Sequence, residues 1–433
     1  MKGKILAIVF LLNFTSFLTL NAQWAKTYGG SEEDIAQAIV QIDDGGYIVV
    51  GKTESFGEDT GDFWILKLDL LGDIEWQKTY GGPFLENAYS IDNTNDGGFV
   101  VAGWTPASGL SIWILKFSSN GDKEWEKTHR VSDSDITYFI KQTNDGGYIL
   151  TGSFTNQYTE GNATLYEYDI WILKLYSNGD AEWCNTYKGS NYDYAYSIQQ
   201  TVDGGFIVAG KTESFGVGST DIWILKLNYL GDIEWQKTYG ESQSDGAYSI
   251  KQTFDGGYIV AGFTSSSGAG RSDFWILKLT SDGTIEWQKL YGGDKPDQAS
   301  LIQQTNDGGY IIAGKTESFG AGLTDIWILK LNLGGDIEWQ KAYGGSQAEE
   351  ATSIEQTSDG GYIVAGFSKS YGAGMEDFLI LKLFPNGDIN SSCGLIHDSN
   401  AEVSDISVIP LFKIHHLKKA RLLFMVYVQG NIP

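Results

Sequence analysis

The chain is poor in cysteine, in histidine and in positive charge, and each shortage removes a class of protein. Two cysteines in 433 residues, Cys184 and Cys393, cannot build a disulfide framework. They leave either one bridge that pins the tail or two free thiols. Of four histidines, His129 alone lies in the repeating part of the chain described below, and His415 and His416 stand near the C-terminus. No zinc ligand set and no Ser-His-Asp or Cys-His arrangement therefore finds its base, so neither a metal nor another cofactor is expected. With 30 Lys and Arg against 55 Asp and Glu, the formal charge is −25, which repels nucleic acid and anionic lipid. After the N-terminus, no apolar run is long enough to span a bilayer, so no integral membrane segment is expected.

What is present begins with a leader. Lys2 and Lys4 precede an apolar stretch running to Leu20, and Leu20-Asn21-Ala22 offers a cleavage site before Gln23. Residues 1–22 are predicted to be a secretory signal peptide. Against the rival reading, an uncleaved anchor, stand the shortness of the core and its interruption by Asn13, Thr15 and Ser16. The expected location is secreted, extracellular or cell-surface, with the periplasm as the alternative. Removal of the leader takes away two lysines and moves the charge from −25 to −27.

Self-similarity then decides the architecture. Asp-Gly-Gly recurs at Asp44, Asp96, Asp145, Asp203, Asp255, Asp307 and Asp359, with spacings of 52, 49, 58, 52, 52 and 52 residues. Each copy contains four segments of strand character between Gly, Asp and Asn clusters. In the fifth they are A (247–253), B (257–264), C (273–279) and D (284–291). Asp-Gly-Gly reads as the A–B hairpin turn, where glycine supplies positive φ; EF-hand ligand spacing is missing. Seven four-stranded antiparallel units without helical periodicity predict an all-β fold, a seven-bladed β-propeller. Its D-strand tryptophans, Trp76, Trp125, Trp183, Trp235, Trp287 and Trp339, recur too regularly for a ligand site and are assigned to burial between blades. Lys67 and its six equivalents are expected to pair across the C–D hairpin with Glu75 and its equivalents.

The seventh copy lacks strand D, and residues 23–30 match a strand D with no A, B or C before it. The N-terminal strand is therefore predicted to pair with Asp377–Leu383 and close the ring. The propeller is predicted over 23–388 and an irregular C-terminal tail over 389–433. From Leu411 the tail turns basic and apolar, which reads either as a truncated or out-of-frame end or as a short segment that binds a membrane or a partner.

GGYIVAG, DxWILKL and IEWQKTYGG together resemble the bacterial seven-bladed propeller repeats of secreted proteins (SBBP-like). The resemblance covers about residues 23 to 388 and implies a surface or exported product, often followed by a C-terminal sorting domain, which this chain does not show. LKLDLLGDIEW at 66–76 is similar to quinoprotein-type propeller repeats, but nothing matches their pocket residues. Ser281-Asp282-Gly283 is close to the Asp-box of sialidase propellers and lacks its spacing.

Function is expected where the repeats differ. The length changes fall in the B–C loops: Gly103 to Ser111 is three residues shorter than Gly210 to Asp221, and Gly152 to Asp169 is six longer. D–A loops share that face and also vary, as rigid scaffolds carrying recognition loops do. Trp104, His129, Arg130, Tyr158, Tyr166 and Tyr168 are the candidate ligand-binding residues there, suited to stacking on a sugar or gripping a peptide. The reading is a monomeric binding or scaffolding module for a protein or carbohydrate. The alternative is an extracellular carbohydrate-active hydrolase using loop carboxylates; no catalytic residue is assigned.

Overall fold

The computed structural model describes residues 23–389 apart from 59, 107–108, 133 and 161–162, together with the backbone of 396–398, 402–405 and 420–421. Side chains of 156–167 and of the tail are outside this description, as are the leader at 1–22 and Cys393. Among the described residues there is no helix. The chain forms seven antiparallel sheets arranged as the blades of a ring.

The strand character of each repeat is realised almost residue for residue. In blade five, A is Asp245–Gln252, B is Tyr258–Thr264, C is Asp273–Leu279 and D is Ile285–Gly292. B and C are apolar at nearly every position because they are covered on both faces by neighbouring blades. D, the outermost strand, alternates. Blade seven takes its A, B and C from Glu349–Gln356, Tyr362–Ser368 and Asp377–Leu383, and its D from Trp24–Tyr28. Trp24 lies opposite Lys382 and Tyr28 opposite Phe378, so the N-terminal strand closes the ring by main-chain hydrogen bonds.

Two glycine requirements explain the GGYIVAG stretch. In the A–B turn of blade one, Gly45 has φ +88°, and a Cβ on Gly46 would stand 2.4 Å from the Leu68 carbonyl oxygen. Five residues on, a Cβ on Gly51 would stand 2.0 Å from the Ile35 carbonyl oxygen. Strand A bulges there: Gln37 has no partner on B, and Ala36 and Ala38 face consecutive residues. The same bulge recurs in all seven A strands, opposite the same glycine.

The seams repeat as faithfully. Each D-strand tryptophan lies on the C–D turn glycine of the next blade and meets the first aromatic of that blade's strand B: Trp24 with Tyr47, Trp125 with Tyr148, Trp235 with Tyr258, Trp287 with Tyr310. The six internal tryptophans are half-buried rather than buried, since the outermost strand keeps one side in water; five strand-C tryptophans, such as Trp275 at 2% exposure, form the deep core. Tyr28, Tyr187, Tyr239, Tyr291 and Tyr343 each donate a hydroxyl to a carbonyl in the next blade's C–D turn, at 2.5–2.6 Å. Lys67 lies opposite Trp76, and Glu75, bulged out of register, reaches back to it at 2.7 Å while Asp44 of the Asp-Gly-Gly turn closes the other side. Six blades carry this Lys–Glu pair; in blade seven Lys382 pairs with the turn carboxylate, Asp359, and donates to the Thr357 hydroxyl.

In the tail, Ile396–Asp398, Glu402–Asp405 and Ala420–Arg421 add short antiparallel strands to the outer edges of blades six, five and three. An outermost strand offers unpaired main-chain groups to any such segment. Cys184 is a free, buried thiol, its pKa pushed up to about 12 by burial.

Candidate functional site

The A strands line the central channel, a cavity of about 760 Å³ walled by all seven blades. Each runs from the face carrying the B–C and D–A loops toward the A–B turns. Because the bulge is fixed by its facing glycine, the bulged side chain of every blade is delivered into the channel wall. Those residues are Gln37, Tyr89, Tyr138, Tyr196, Tyr248, Ser300 and Thr352.

The backbone is sevenfold and this ring of side chains is not. Blades two to five present a continuous arc of tyrosines, with ring centres 6.0 Å apart for Tyr89–Tyr138, 5.0 Å for Tyr138–Tyr196 and 5.1 Å for Tyr196–Tyr248. Blades six, seven and one present Ser300, Thr352 and Gln37. The arc continues outward: Tyr194 stacks on Tyr196 with planes 2° apart, Tyr168 stacks on Tyr194 at 5.4 Å, and the Lys211 ammonium lies 4.9 Å over the Tyr194 ring. Burial pushes the Tyr138 and Tyr194 hydroxyls up to about 12, so at neutral pH they are uncharged hydrogen-bonding groups.

Three residues further along each A strand lies a second inward column: Val40, Asp92, Lys141, Gln199, Lys251, Gln303 and Glu355. Its acceptors have a structural task. Asp92, Gln199, Gln303 and Glu355 each accept the main-chain N–H at the end of the next blade's strand A, at 2.8–3.0 Å. Lys141 forms an ion pair with Asp92; burial works against its charge and Asp92 outweighs that, so its pKa is raised. Below this column, Gln142, Gln200, Gln252, Gln304, Gln356 and Gln41 accept a turn N–H from the preceding blade, fastening the ring at its A–B face.

The residues expected from the sequence are distributed as follows. Tyr168 joins the tyrosine arc through Tyr194 and also meets Tyr192. Trp104 is half-buried on blade two's strand B, opposite Asn87. Arg130 is exposed and donates to the Ser132 carbonyl at 2.7 Å. His129 takes the place of the seam tyrosine: its Nε2 lies 2.9 Å from the Gly179 carbonyl oxygen, which can only accept, so Nε2 carries the proton. Burial, and then Lys127, lower its pKa, leaving it neutral at pH 7 and engaged between blades rather than in the channel. The longer blade-three loop is an extension of the B–C hairpin, Tyr148–Glu160 with Ala163–Leu175; Tyr158 and Tyr166 are on it, opposite Leu165 and Gln157, and their side chains lie outside the described residues.

The channel residues Tyr89, Tyr138, Tyr196, Tyr248 and Lys251 did not emerge from the sequence reading. Aligning the seven A strands column by column would have found them, because these columns change while their neighbours repeat.

No family model matches the chain, and no curated protein matches it. Among solved structures it is similar to Sqt1 from Chaetomium thermophilum, at 12% identity and TM-score 0.46 over 80% of this chain and 83% of that one. It is similar to a protein of unknown function from Dyadobacter fermentans, at 11% identity and TM-score 0.46, covering 83% and 97%. A puromycin hydrolase is similar at 10% identity and TM-score 0.48, over 85% of this chain and 54% of the hydrolase. These likenesses concern the fold and carry nothing about chemistry.

Proposed function

We propose that the chain is a secreted or cell-surface propeller of the SBBP-like kind, monomeric, with residues 23–388 as the folded unit behind a cleaved leader, that binds a carbohydrate at the channel mouth. The observation that carries this reading is the tyrosine arc. Four adjacent bulges present tyrosine rings packed edge-to-face or tilted on one another, with interplanar angles of 72°, 61° and 49°, while the opposite wall presents Ser300, Thr352 and Gln37. Sugars are bound by that combination: ring C–H faces lie on aromatic faces, and hydroxyls exchange hydrogen bonds with small polar groups. A cavity of about 760 Å³ is of the size that encloses a small ligand.

The hydrolase alternative needs two carboxyl groups converging in one pocket. Burial does push Asp135, Asp193 and Asp273 up to about 6, but these acids begin strands A and C at the blade seams, where each accepts main-chain N–H groups. Among the described residues, the carboxylates of the channel wall are Glu350, paired with Lys315 at 2.9 Å, Glu355, which holds the Gln41 N–H, and Asp92 of the same inward column, which holds the Gln142 N–H and pairs with Lys141. All three are occupied.

A glycan and secreted-protein binding screen of the purified chain tests the proposal. Glycans are expected among the hits, and Tyr196→Ala should weaken them at least tenfold with little change in melting temperature. Protein hits alone, or glycan hits indifferent to Tyr196→Ala and Tyr248→Ala, would overturn it.

A further inference from the structure

Among the described cations of the channel wall, Lys141 and Lys315 form ion pairs and Lys251 does not. In its column, four residues accept a main-chain N–H from the next blade and Lys141 neutralises one of those four, Asp92. Lys251 has neither a hydrogen bond nor an ion pair among the described residues; its Nζ lies 5.0 Å from the centre of the Phe139 ring, which belongs to blade three. It follows Tyr248 by three residues on the same strand, and both line the channel, Lys251 nearer the A–B turn. A packing role on Phe139 would be met by methionine or leucine at lower desolvation cost, since no hydrogen bond or ion pair offsets the desolvation of the ammonium and Asp92 and Glu355 act on it only at longer range.

Resting on the carbohydrate reading above, we propose that Lys251 receives the carboxylate of an acidic sugar whose ring lies on the tyrosine arc. The ligand class is a short oligosaccharide carrying a hexuronate. A carboxylate supplies what this site lacks: a partner able to form a charge-assisted hydrogen bond with the half-buried ammonium. Long polyanions are disfavoured by the −25 charge of the whole chain, so a single carboxylated unit fits better than a polyuronate.

The charged groups around the amine are Lys141, Asp92 and Glu355. Burial first, and Lys141 second, depress the Lys251 pKa to about 7, with Asp92 and Glu355 opposing. A carboxylate at Nζ raises it again, so binding takes up a proton. Affinity for the acidic sugar is therefore greatest below pH 7 and falls as pH rises above it, by up to tenfold per unit until the pKa of the complex is reached.

The experiment is calorimetric titration of the full chain with trisaccharides containing glucuronate or galacturonate and with neutral counterparts carrying CH₂OH in place of the carboxylate, at pH 6 and pH 8.5. We expect an acidic trimer to bind at least tenfold more tightly than its counterpart at pH 6, and most of that preference to vanish at pH 8.5. Lys251→Met should make the two bind alike. Lys251→Arg, always charged, should keep the preference and lose its pH dependence. Equal binding of acidic and neutral trimers by the unaltered chain, or a preference that survives Lys251→Met, overturns this inference and leaves the carbohydrate reading standing. Binding of neither kind overturns both.

Discussion

The blade seam and the channel wall are built from the same seven repeats and treat them in opposite ways. In the seam, position and residue type both recur: an indole on a glycine turn and a hydroxyl on a carbonyl. In the channel wall only the position recurs; the bulge is identical in every blade, and the side chain on it is tyrosine, serine, threonine or glutamine. The difference teaches where packing dictates sequence. A seam residue must satisfy two blades at once, whereas a bulge residue is placed by its backbone and faces the open channel. Repetition therefore marks stability here, and loss of repetition marks the surface available for recognition.

Substitutions can break or sharpen this contrast. Ring closure should produce the largest effect: deleting residues 23–30 leaves blade seven without its outer strand and should lower the melting temperature by many degrees. An unchanged transition would mean that another segment replaces Trp24–Tyr28 on the Asp377–Leu383 edge. Next, Trp275→Ala should cost about 3–5 kcal/mol in chemical denaturation, as for a fully buried large aromatic. The half-buried Trp287→Ala should cost less, about 1–2 kcal/mol. Equal costs would show that the seam is held at its outer rim as firmly as at its centre.

A smaller effect is expected from pH. Asp135, Asp193 and Asp273 keep their protons up to about pH 6 in the folded chain, against about 3.9 for an unfolded aspartate. Between those values the unfolded chain releases protons that the folded chain retains, so stability falls as pH rises from about 4 to about 6 and then levels off. Asp96 and Asp255, lowered to about 2 against the opposing effect of burial by hydrogen bonds from Thr and Lys, act in a separate window below about pH 4. Melting curves from pH 4.5 to 7 should show a decline of several degrees, made shallower by Asp193→Asn. A rise over that interval would contradict the seam electrostatics. The channel substitution Tyr196→Ala should move stability least.

The fold was open to reading because its signals are local and repeated seven times: turn glycines, strand alternation, and a strand D missing at one end and surplus at the other. The channel was hidden for a physical reason. Whether Tyr196 or Lys251 faces solvent, core or channel depends on ring closure, and the bulge breaks strand A's period of two at the residue that matters. Loop length drew attention outward to the B–C loops, from which Tyr168 does connect with the channel arc, while His129 proved to be a seam residue in an unusual guise. The half-burial of the D-strand tryptophans was likewise not legible from recurrence, which shows that a residue packs but not how deeply.

Ring closure also imposes an order in time. The strand that completes blade seven is made before any blade, and its partner around Lys382 only after six blades and most of the seventh have been synthesised. Through that interval Trp24–Tyr28 has no sheet to join, and each newly completed blade ends in an open flank. The last contact formed is thus the one with the greatest separation along the chain, a slow step by the entropy of closing so large a loop. Until it forms, the nascent molecule is an open arc rather than a ring.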